Sequence, residues 1–464
     1  MLGVGVFFLK RNKTSDDYYV GGRSMSSWHV GLSVVATDVG GGFSIGLGGL
    51  GFTMGISGSW MLFTGLIGAW LAAVVLIPKL SRLPQFKNLY TFPQIFNIFY
   101  DRKTALLAGL ISAIGYAGFT SSQLLAGAKL ASSTFVSLSL QNALIIMGVI
   151  AVVYTVMGGL KAVIYTDTIQ WALLLSGLIF IGLPLGYMEI GGYAGLKEHL
   201  PAEFLSLQNI RWQDFVNWGI TIIPIWFVGM TLYQRIYACK SEKEAKKAWY
   251  IAGLFEWPIM AFMGVLLGMF ARVGADTGMF AYLGFESAAG MDAETGLPML
   301  LRTILPAGLM GLMMSAYFSA VLSTADSCLM AASGNLVTDI LGFKNSDQKK
   351  FLRTSQIWTL VIGAVALVIA SMMQSVLELM LYSYAFMVSG LLVPVLGGLF
   401  LKNPNPNAAF WSMLLGGGVT VTLIITQVAL PLGLDANIFG ISISLLSFIL
   451  INQLGQKRNT YVKN

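Results

Sequence analysis

Hydroxyl and carboxyl side chains recur at helical spacing in one apolar stretch of the chain, Ala320–Ser327. Residues three or four positions apart share one face of a helix, so Ser323, Thr324 and Ser327 point the same way. Hydroxyl and carbonyl oxygens are hard ligands that suit a small alkali cation, and Asp326 adds a carboxylate beside them. The stretch therefore favours a cation site. The alternative is that these hydroxyls bond back to the preceding turn or hold neighbouring helices together.

A second polar position lies at Asp38, just before the glycine run that starts at Gly40. Consecutive glycines invite a helix to unwind, and an unwound turn offers free backbone carbonyls. Such carbonyls could complete the cation site from another helix. A similar interruption is expected around Pro224 and Gly229.

The composition indicates which kind of fold holds these residues in place. The chain has 464 residues, of which 56% are hydrophobic and 11% charged, against about 25% charged in soluble domains. This shortage of charge excludes most soluble folds and predicts a polytopic membrane protein. Two cysteines and two histidines supply neither a disulfide framework nor a metal cluster, which argues against a membrane-embedded enzyme. A channel would need a repeated filter or a ring of like charges, and the sequence contains neither.

Twelve apolar segments are long enough to span a bilayer, which requires about 20 residues. The segment Met1–Leu9 is too short, and we interpret it as the end of a helix that begins before this chain. The predicted spans are 27–55, 58–80, 104–135, 141–157, 163–188, 213–235, 249–272, 304–335, 355–373, 375–399, 408–430 and 437–454.

Basic residues define the expected orientation of these spans. With residues 10–23 placed inside, 23 of the 28 lysines and arginines fall in inside loops, Arg235 among them. This is the positive-inside asymmetry of membrane proteins. It accounts for the net charge of +7, and no soluble basic face remains that would suit a nucleic acid.

Two halves of the chain share a pattern. Segments 27–188 and 213–399 each hold five predicted spans, and each begins with an interrupted helix. Paired interruptions at matching positions are typical of transporters built from inverted repeats. The alternative is that glycine and proline are simply common in membrane helices.

Other ionisable residues lie in or near the spans. We expect Lys129 to extend toward the outer surface and Glu378 to lie at the outer boundary. Asp339 is expected to cap its helix or pair with a cytoplasmic loop. Glu256 could lie near the interface or contact a transported solute.

Four motifs in this chain resemble those of the sodium:solute symporters, the family of the sodium/proline, sodium/sialic acid, sodium/pantothenate and sodium/glucose carriers. The likeness covers nearly the whole chain, and the motifs occur in the right order at the right span ends. They are Ser33–Gly42, Tyr154–Gln170, Tyr233–Ala245 and Ser323–Ser327.

The resemblance implies an all-α polytopic membrane protein with the LeuT-type fold, five plus five inverted helices and additional helices at both ends. It implies one transporter domain over 1–464. Its parts would be 1–26, a partial helix and cytoplasmic loop; 27–188 and 213–399, the two repeats; and 408–464, two final helices and a tail. The implied function is secondary active import of a small organic solute, driven by sodium through alternating access. We expect a multi-pass protein of the plasma or inner membrane, acting as a monomer with the lipid bilayer around it.

The resemblance also implies ion sites. The common sodium (Na⁺) site falls on the carbonyls of Ala36, Val39 and Ala320 and the hydroxyls of Ser323 and Thr324. A second sodium, bound by some members, corresponds to Asp167, Ser323, Asp326 and Ser327. A carboxylate at 326 departs from members that have serine or another residue there. It could strengthen the second site or bind a proton, so a proton-coupled carrier of the same fold is the main rival.

Solute-binding candidates cluster around the two helix breaks, although each could equally be a packing residue. They are Asp38, Phe43, Trp60, Tyr116, Gln123, Trp226 and Tyr384. Phe43 and Ile225 replace a histidine and a tyrosine of the glucose carriers, which weakens a glucose assignment. No arginine is expected mid-span to clamp a carboxylate. An amino acid, a sugar derivative or a small acid held by backbone N–H groups stays open.

Overall fold

The structure of the chain is a computed structural model, and it describes residues 20–38, 40–157, 160–342 and 348–461. Helices make up nearly all of this part of the chain. The segment Met1–Leu9, the glycines at 158–159 and the predicted sodium ligand Val39 lie outside the described residues.

The described helices follow one another with short connections. In chain order they are α1 (Ser27–Asp38), α2 (Gly40–Met54), α3 (Trp60–Leu71), α4 (Ile77–Ser81), α5 (Gln94–Phe99), α6 (Arg102–Thr134), α7 (Leu140–Met157), α8 (Leu160–Gly177), α9 (Leu183–Glu189), α10 (Gly192–His199), α11 (Trp212–Val228), α12 (Met230–Ala238), α13 (Glu242–Leu254), α14 (Ala261–Asp276), α15 (Gly296–Ile304), α16 (Ala307–Gly334), α17 (Gln348–Ser371), α18 (Val376–Phe400), α19 (Pro406–Thr426) and α20 (Ala436–Tyr461).

Short helical turns of other types fill several junctions. Turns of π-helix continue four of the helices, at Ala72–Leu76, Leu178–Gly182, Phe255–Met260 and Asn335–Ile340. Turns of 3-10 helix lie at Gly21–Arg23, Gly55–Ser59, Phe86–Asn88, Ala202–Leu205, Ala281–Leu283, Ala293–Thr295 and Pro431–Gly433.

Each of the twelve predicted spans coincides with one helix or with helices joined end to end. Within the described residues, nine helices are long and apolar enough to cross a membrane, and the bent pair α11–α12 raises this to ten. The helix at 140–156 is apolar but shorter. The chain is therefore a multi-pass membrane protein, as its composition predicts.

The sequence predicts interruptions in two helices, and the second of them lies wholly within the described residues. Helix α1 is described as far as Asp38 and α2 from Gly40, and Val39 between them lies outside the described residues. Helices α11 and α12 meet at Gly229 with a 44° bend. Pro224, expected to take part in this second break, instead lies inside α11. A proline removes only one backbone donor, whereas the extended backbone of Gly229 (φ −70°, ψ 116°) ends the hydrogen-bond ladder.

Glycines bring α2 and α14 into backbone contact. A Cβ atom on Gly51 would lie 2.1 Å from the carbonyl oxygen of Val265, and one on Gly268 would lie 2.0 Å from that of Gly48. Close approach through small residues is how membrane helices gain packing energy without a hydrophobic drive between them. Part of the high glycine content therefore serves this single interface.

The interrupted helices lie inside the bundle. Helix α1 packs against α8, α13 and α16, while α6 packs against α16 and α18. The side chains of α12 are all buried. The break at Gly229, and any break after Asp38, would thus expose backbone groups only to protein, where they can serve a binding site.

Candidate functional site

The end of α1 meets the hydroxyl face of α16. The hydroxyl of Thr324 lies 3.0 Å from the carbonyl oxygen of Ala36 and 3.1 Å from that of Ala320, and it donates a hydrogen bond there. Thr324 is 1% exposed. Three of the five predicted ligands of the first sodium site are thereby brought together. All three supply hard oxygen atoms, which is the donor set an alkali cation requires.

Ser323 connects this place to Asp167 on α8. Its hydroxyl donates to Asp167 Oδ1, and the Ser33 hydroxyl donates to Asp167 Oδ2 at 2.7 Å. Asp167 and Ser323 are both buried. Helices α1, α8 and α16 are therefore held together by one carboxylate.

Arg235 of α12 lies fully buried in the same cluster. Its Nη2 atom is 3.3 Å from Asp167 Oδ2, and its Nε atom donates to the Ser33 hydroxyl at 3.1 Å. The guanidinium also donates to the Thr37 hydroxyl and, at 3.4 Å, to the Ser327 hydroxyl. The assignment of Arg235 to a cytoplasmic loop is thus wrong, because its side chain turns inward to balance a buried carboxylate.

Asp326 stands beside this cluster without a comparable partner. It is 0% exposed, and neither of its carboxylate oxygens has a hydrogen-bond partner among the residues described. Thr155 faces it, but the Thr155 hydroxyl donates to the Ala151 carbonyl at 2.8 Å. The second predicted ion site therefore includes one carboxylate bound to Arg235 and one, Asp326, to which no described residue donates a hydrogen bond.

Three solute-binding candidates make hydrogen bonds at the helix breaks. The Tyr384 hydroxyl donates to Asp38 Oδ1 at 3.1 Å. The Gln123 side-chain oxygen accepts from the backbone N–H of Gly42 at 3.2 Å. The Tyr116 hydroxyl accepts from the backbone N–H of Thr231 at 3.1 Å, beyond the second break. Gln123 and Tyr116 thus bind backbone N–H groups just beyond the two predicted breaks, while Tyr384 binds the Asp38 side chain.

The remaining three solute-binding candidates are aromatic residues whose contacts do not by themselves indicate solute binding. Phe43 is 2% exposed in the core, and Trp226 packs edge-on against Trp249. Trp60 is half-buried, and its indole nitrogen donates to the Leu207 carbonyl of the outer segment at 2.9 Å. Among the described contacts, none links these three side chains to the polar cluster at Asp38.

Lys129 does not extend to the outer surface as expected. It is 2% exposed, and its ammonium lies 2.6 Å from Asp292 and 2.7 Å from Glu294. Glu294 in turn accepts from the backbone N–H groups of Val376 and Leu377 at the start of α18. The buried ammonium is stabilised by carboxylates of the outer segment, and no sequence pattern linked residues so far apart.

Three other ionisable residues lie in or near the predicted spans. Asp339 accepts from the Thr91 hydroxyl at 2.8 Å, so it pairs with the cytoplasmic segment as expected. Glu378 is exposed at the start of α18, again as expected. Glu256, whose position was left open, is completely buried in the π-helical turn between α13 and α14.

The chain matches one family model over most of its length. The model described as the sodium:solute symporter family matches residues 18–416. Among similar proteins, the sodium/proline symporter of Escherichia coli (strain K12) is 26% identical, with 98% of this chain and 91% of that protein covered. The sodium/glucose cotransporter 1 of Oryctolagus cuniculus is 25% identical, with 93% and 71% covered.

Solved structures show the same fold. A Na⁺-coupled sialic acid symporter in a substrate-bound outward-open state has a TM-score of 0.78 and 22% identity, with 98% of this chain and 95% of that chain covered. Mhp1, a nucleobase-cation-symport-1 family transporter, has a TM-score of 0.61 and 14% identity, with 96% of each chain covered. The LeuT-type fold expected from the motifs is confirmed.

Proposed function

Because the chain belongs to the sodium:solute symporter family, we propose that the contact between α1 and α16 is its sodium site. The chain is a multi-pass secondary active transporter rather than an enzyme, and it carries a small organic solute by alternating access. The observation that supports the sodium site is the Thr324 hydroxyl within hydrogen-bond distance of the Ala36 carbonyl. Ser323 and the carbonyls of Ala320 and Val39 complete the proposed ligand set.

Sodium at this place would join α1, just before the predicted break, to the continuous helix α16. A bound ion can shift a conformational equilibrium only if it binds one state more tightly than the other. Separation of α1 from α16 would remove ligands from one side of the ion. Sodium therefore favours the state in which both helices are in contact, and this state is the one that binds solute.

The solute would occupy the space beside the two breaks. Asp38, Tyr384, Gln123 and Tyr116 are its closest polar candidates, since all four lie at the break or bind its backbone. Trp60 is a weaker candidate because its indole already bonds to an outer carbonyl. The relatives transport proline and glucose and one structural neighbour transports sialic acid, so these are the first solutes to test.

A second ion site at Asp167, Ser323, Asp326 and Ser327 remains a proposal. The Arg235 guanidinium already balances Asp167 and contacts Ser327, which disfavours a second cation between them. Asp326 keeps its carboxylate without a donor, so it is the residue most able to attract one. A proton in place of sodium is the competing occupant. Function as a monomer is likewise proposed.

The sodium site is tested by removing its hydroxyls. We expect Thr324→Ala and Ser323→Ala to raise the sodium concentration for half-maximal uptake by about tenfold, since each removes one ligand or its support. The measurement is solute uptake into proteoliposomes at varied sodium, with potassium as the balancing ion.

Ser132→Ala is the matched control, because that hydroxyl only bonds back to the Lys129 carbonyl of its own helix at 3.2 Å. Its sodium dependence should equal that of the wild-type chain. Unchanged sodium dependence in both test variants would refute the assignment. Uptake that follows an imposed proton gradient without sodium would favour the proton-coupled alternative.

A further inference from the structure

Two buried carboxyl groups lie near each other beside the first predicted helix break. The carboxyl group of Asp38 in α1 and that of Glu256 in the turn between α13 and α14 are close enough for each to act on the charge of the other. Asp38 is 8% exposed and Glu256 is 0% exposed. No amide or hydroxyl group among the described residues donates to either oxygen of Glu256. A glutamate buried in this way without any donor is rare, because the loss of its hydration is uncompensated.

A glycine makes room for the Glu256 carboxyl. A Cβ atom on Gly65 of α3 would lie 1.9 Å from Glu256 Oε2. Glu256 also lies in a π-helical turn, Phe255–Met260, and such turns occur often at functional sites. The backbone of α3 and that of the π-helical turn thus leave room for the Glu256 carboxyl group, which makes no structural hydrogen bond among the described residues.

The charges around the pair do not balance it. Asp38 and Glu256 form no ion pair with a lysine or arginine in the part of the chain that the structure describes. Arg235 is the cation whose charge acts on Asp38, but its guanidinium already forms an ion pair with Asp167. Two adjacent carboxyl groups cannot both stay ionised in a buried site unless a cation joins them.

We propose that Asp38 and Glu256 together bind a protonated nitrogen of the transported solute, and this assignment rests on the proposed transport function. The pair lies at the breaks, where a carrier of this architecture binds its solute near the midplane. The Tyr384 ring lies against Phe119, with ring centroids 5.1 Å apart, and its hydroxyl contacts Asp38. Carboxylates with aromatic rings nearby are a chemistry that recognises organic ammonium groups.

This chemistry separates classes of solute. A zwitterionic amino acid or another amine presents the required charged N–H donors. A neutral sugar offers hydroxyl donors but no positive charge, so it would leave the negative charge of the buried pair unbalanced. The proposal therefore selects amine-bearing solutes over sugars for this chain.

The test is a binding measurement on the full chain in detergent with sodium. L-proline, N-acetyl-L-proline, D-glucose and sialic acid are compared by thermal shift and by titration calorimetry. We expect L-proline to bind and its N-acetylated form, which has no protonated nitrogen, to bind at least about tenfold more weakly. Glu256→Gln should weaken L-proline binding by a similar factor while the sodium concentration for half-maximal stabilisation stays within about twofold.

Gly65→Ala is the second variant, since its new methyl group would displace the carboxyl and weaken the same binding. Glu198→Gln, on the exposed helix α10, is the matched control and should bind as the wild-type chain does. Binding of glucose or of N-acetyl-L-proline that Glu256→Gln leaves unchanged would overturn the proposal. So would a Glu256→Gln variant whose only defect is weaker sodium binding without solute, because the pair would then be a sodium ligand. L-proline binding that does not depend on sodium would refute the proposed sodium site instead, and no binding of L-proline at all would overturn the assignment of the carboxyl pair.

Discussion

At the scale of single residues, Arg235 and Asp167 form an ion pair inside the bundle, where neither charge would be stable without the other. Both are almost completely buried, and their charged atoms are 3.3 Å apart. Removing one partner of a buried ion pair leaves an uncompensated charge, which costs about 3–5 kcal/mol, whereas removing both is often nearly neutral. The pair is therefore expected to couple α8 and α12 strongly.

A double-mutant cycle tests this coupling. Arg235→Gln alone should lower the thermal unfolding midpoint markedly, and Arg235→Gln combined with Asp167→Asn should recover most of the loss. The measurement is the unfolding midpoint in detergent for the wild-type chain, both single variants and the double variant. Additive losses would show that the two charges do not interact.

Sequence reasoning found part of this site and missed another part, for physical reasons. The resemblance to the symporter family implied that Thr324 and Ala36 meet. The hydroxyl face and the glycine run by themselves indicated only that a turn near Asp38 could supply carbonyl oxygens. The burial of Arg235 could not be predicted, since hydropathy assigns an arginine at a span end to the loop. The signal available was Asp167 itself, because a carboxylate inside a span requires a positive partner. Glu294, which binds Lys129, lies in a polar outer segment that no periodic pattern links to α6.

At the scale of elements, the glycine contact between α2 and α14 determines how closely these two helices can pack against each other. Backbone atoms of both helices lie where a Cβ atom would have to be. Backbone cannot move aside as a flexible side chain can. The helices would have to separate, and the dispersion contacts along their whole interface would weaken.

Gly268→Ala is expected to destabilise the chain, by about 1–3 kcal/mol as overpacking usually does. Gly418→Ala on α19 provides the matched comparison, since no atom lies within 4 Å of its added Cβ. That variant should be neutral or slightly stabilising, because alanine favours helix over glycine by about 1 kcal/mol. The readout is the thermal midpoint of each purified variant. Equal midpoints for the two variants would mean that the close contact carries no energy.

The order of helices was predictable, whereas the details of their interruption were less so. Apolar length predicted where the helices lie, because a bilayer requires about the same length of each span. Nine of the described helices, or ten with the bent pair α11–α12, are long and apolar enough to cross a membrane. Pro224 was expected to break its helix, yet α11 continues to Val228. Tertiary packing satisfies the group that a proline leaves free in a membrane helix, so proline alone does not determine where such a helix ends.

At the scale of the whole molecule, the orientation in the membrane follows from the basic residues and has a direct check. The native cysteines, Cys239 and Cys328, are both buried. A membrane-impermeant maleimide should therefore label the wild-type chain weakly in intact cells. Glu198→Cys should be labelled from outside, whereas Lys243→Cys should be labelled only after the membrane is opened. The reverse pattern would invert the topology.

The ion pair of Arg235 and Asp167 has a consequence for how the carrier responds to membrane voltage. Its two charges cancel in the transmembrane field, so a movement that carries both performs almost no electrical work. A single charge crossing the membrane would gain or lose about 2.3 kcal/mol per 100 mV. The transport current should therefore reflect the charge of the ions and solute that cross the membrane. Any displacement of the charges of Asp38, Glu256 and Asp326 would add to it. The buried Arg235, although charged, should therefore contribute almost nothing to the transport current.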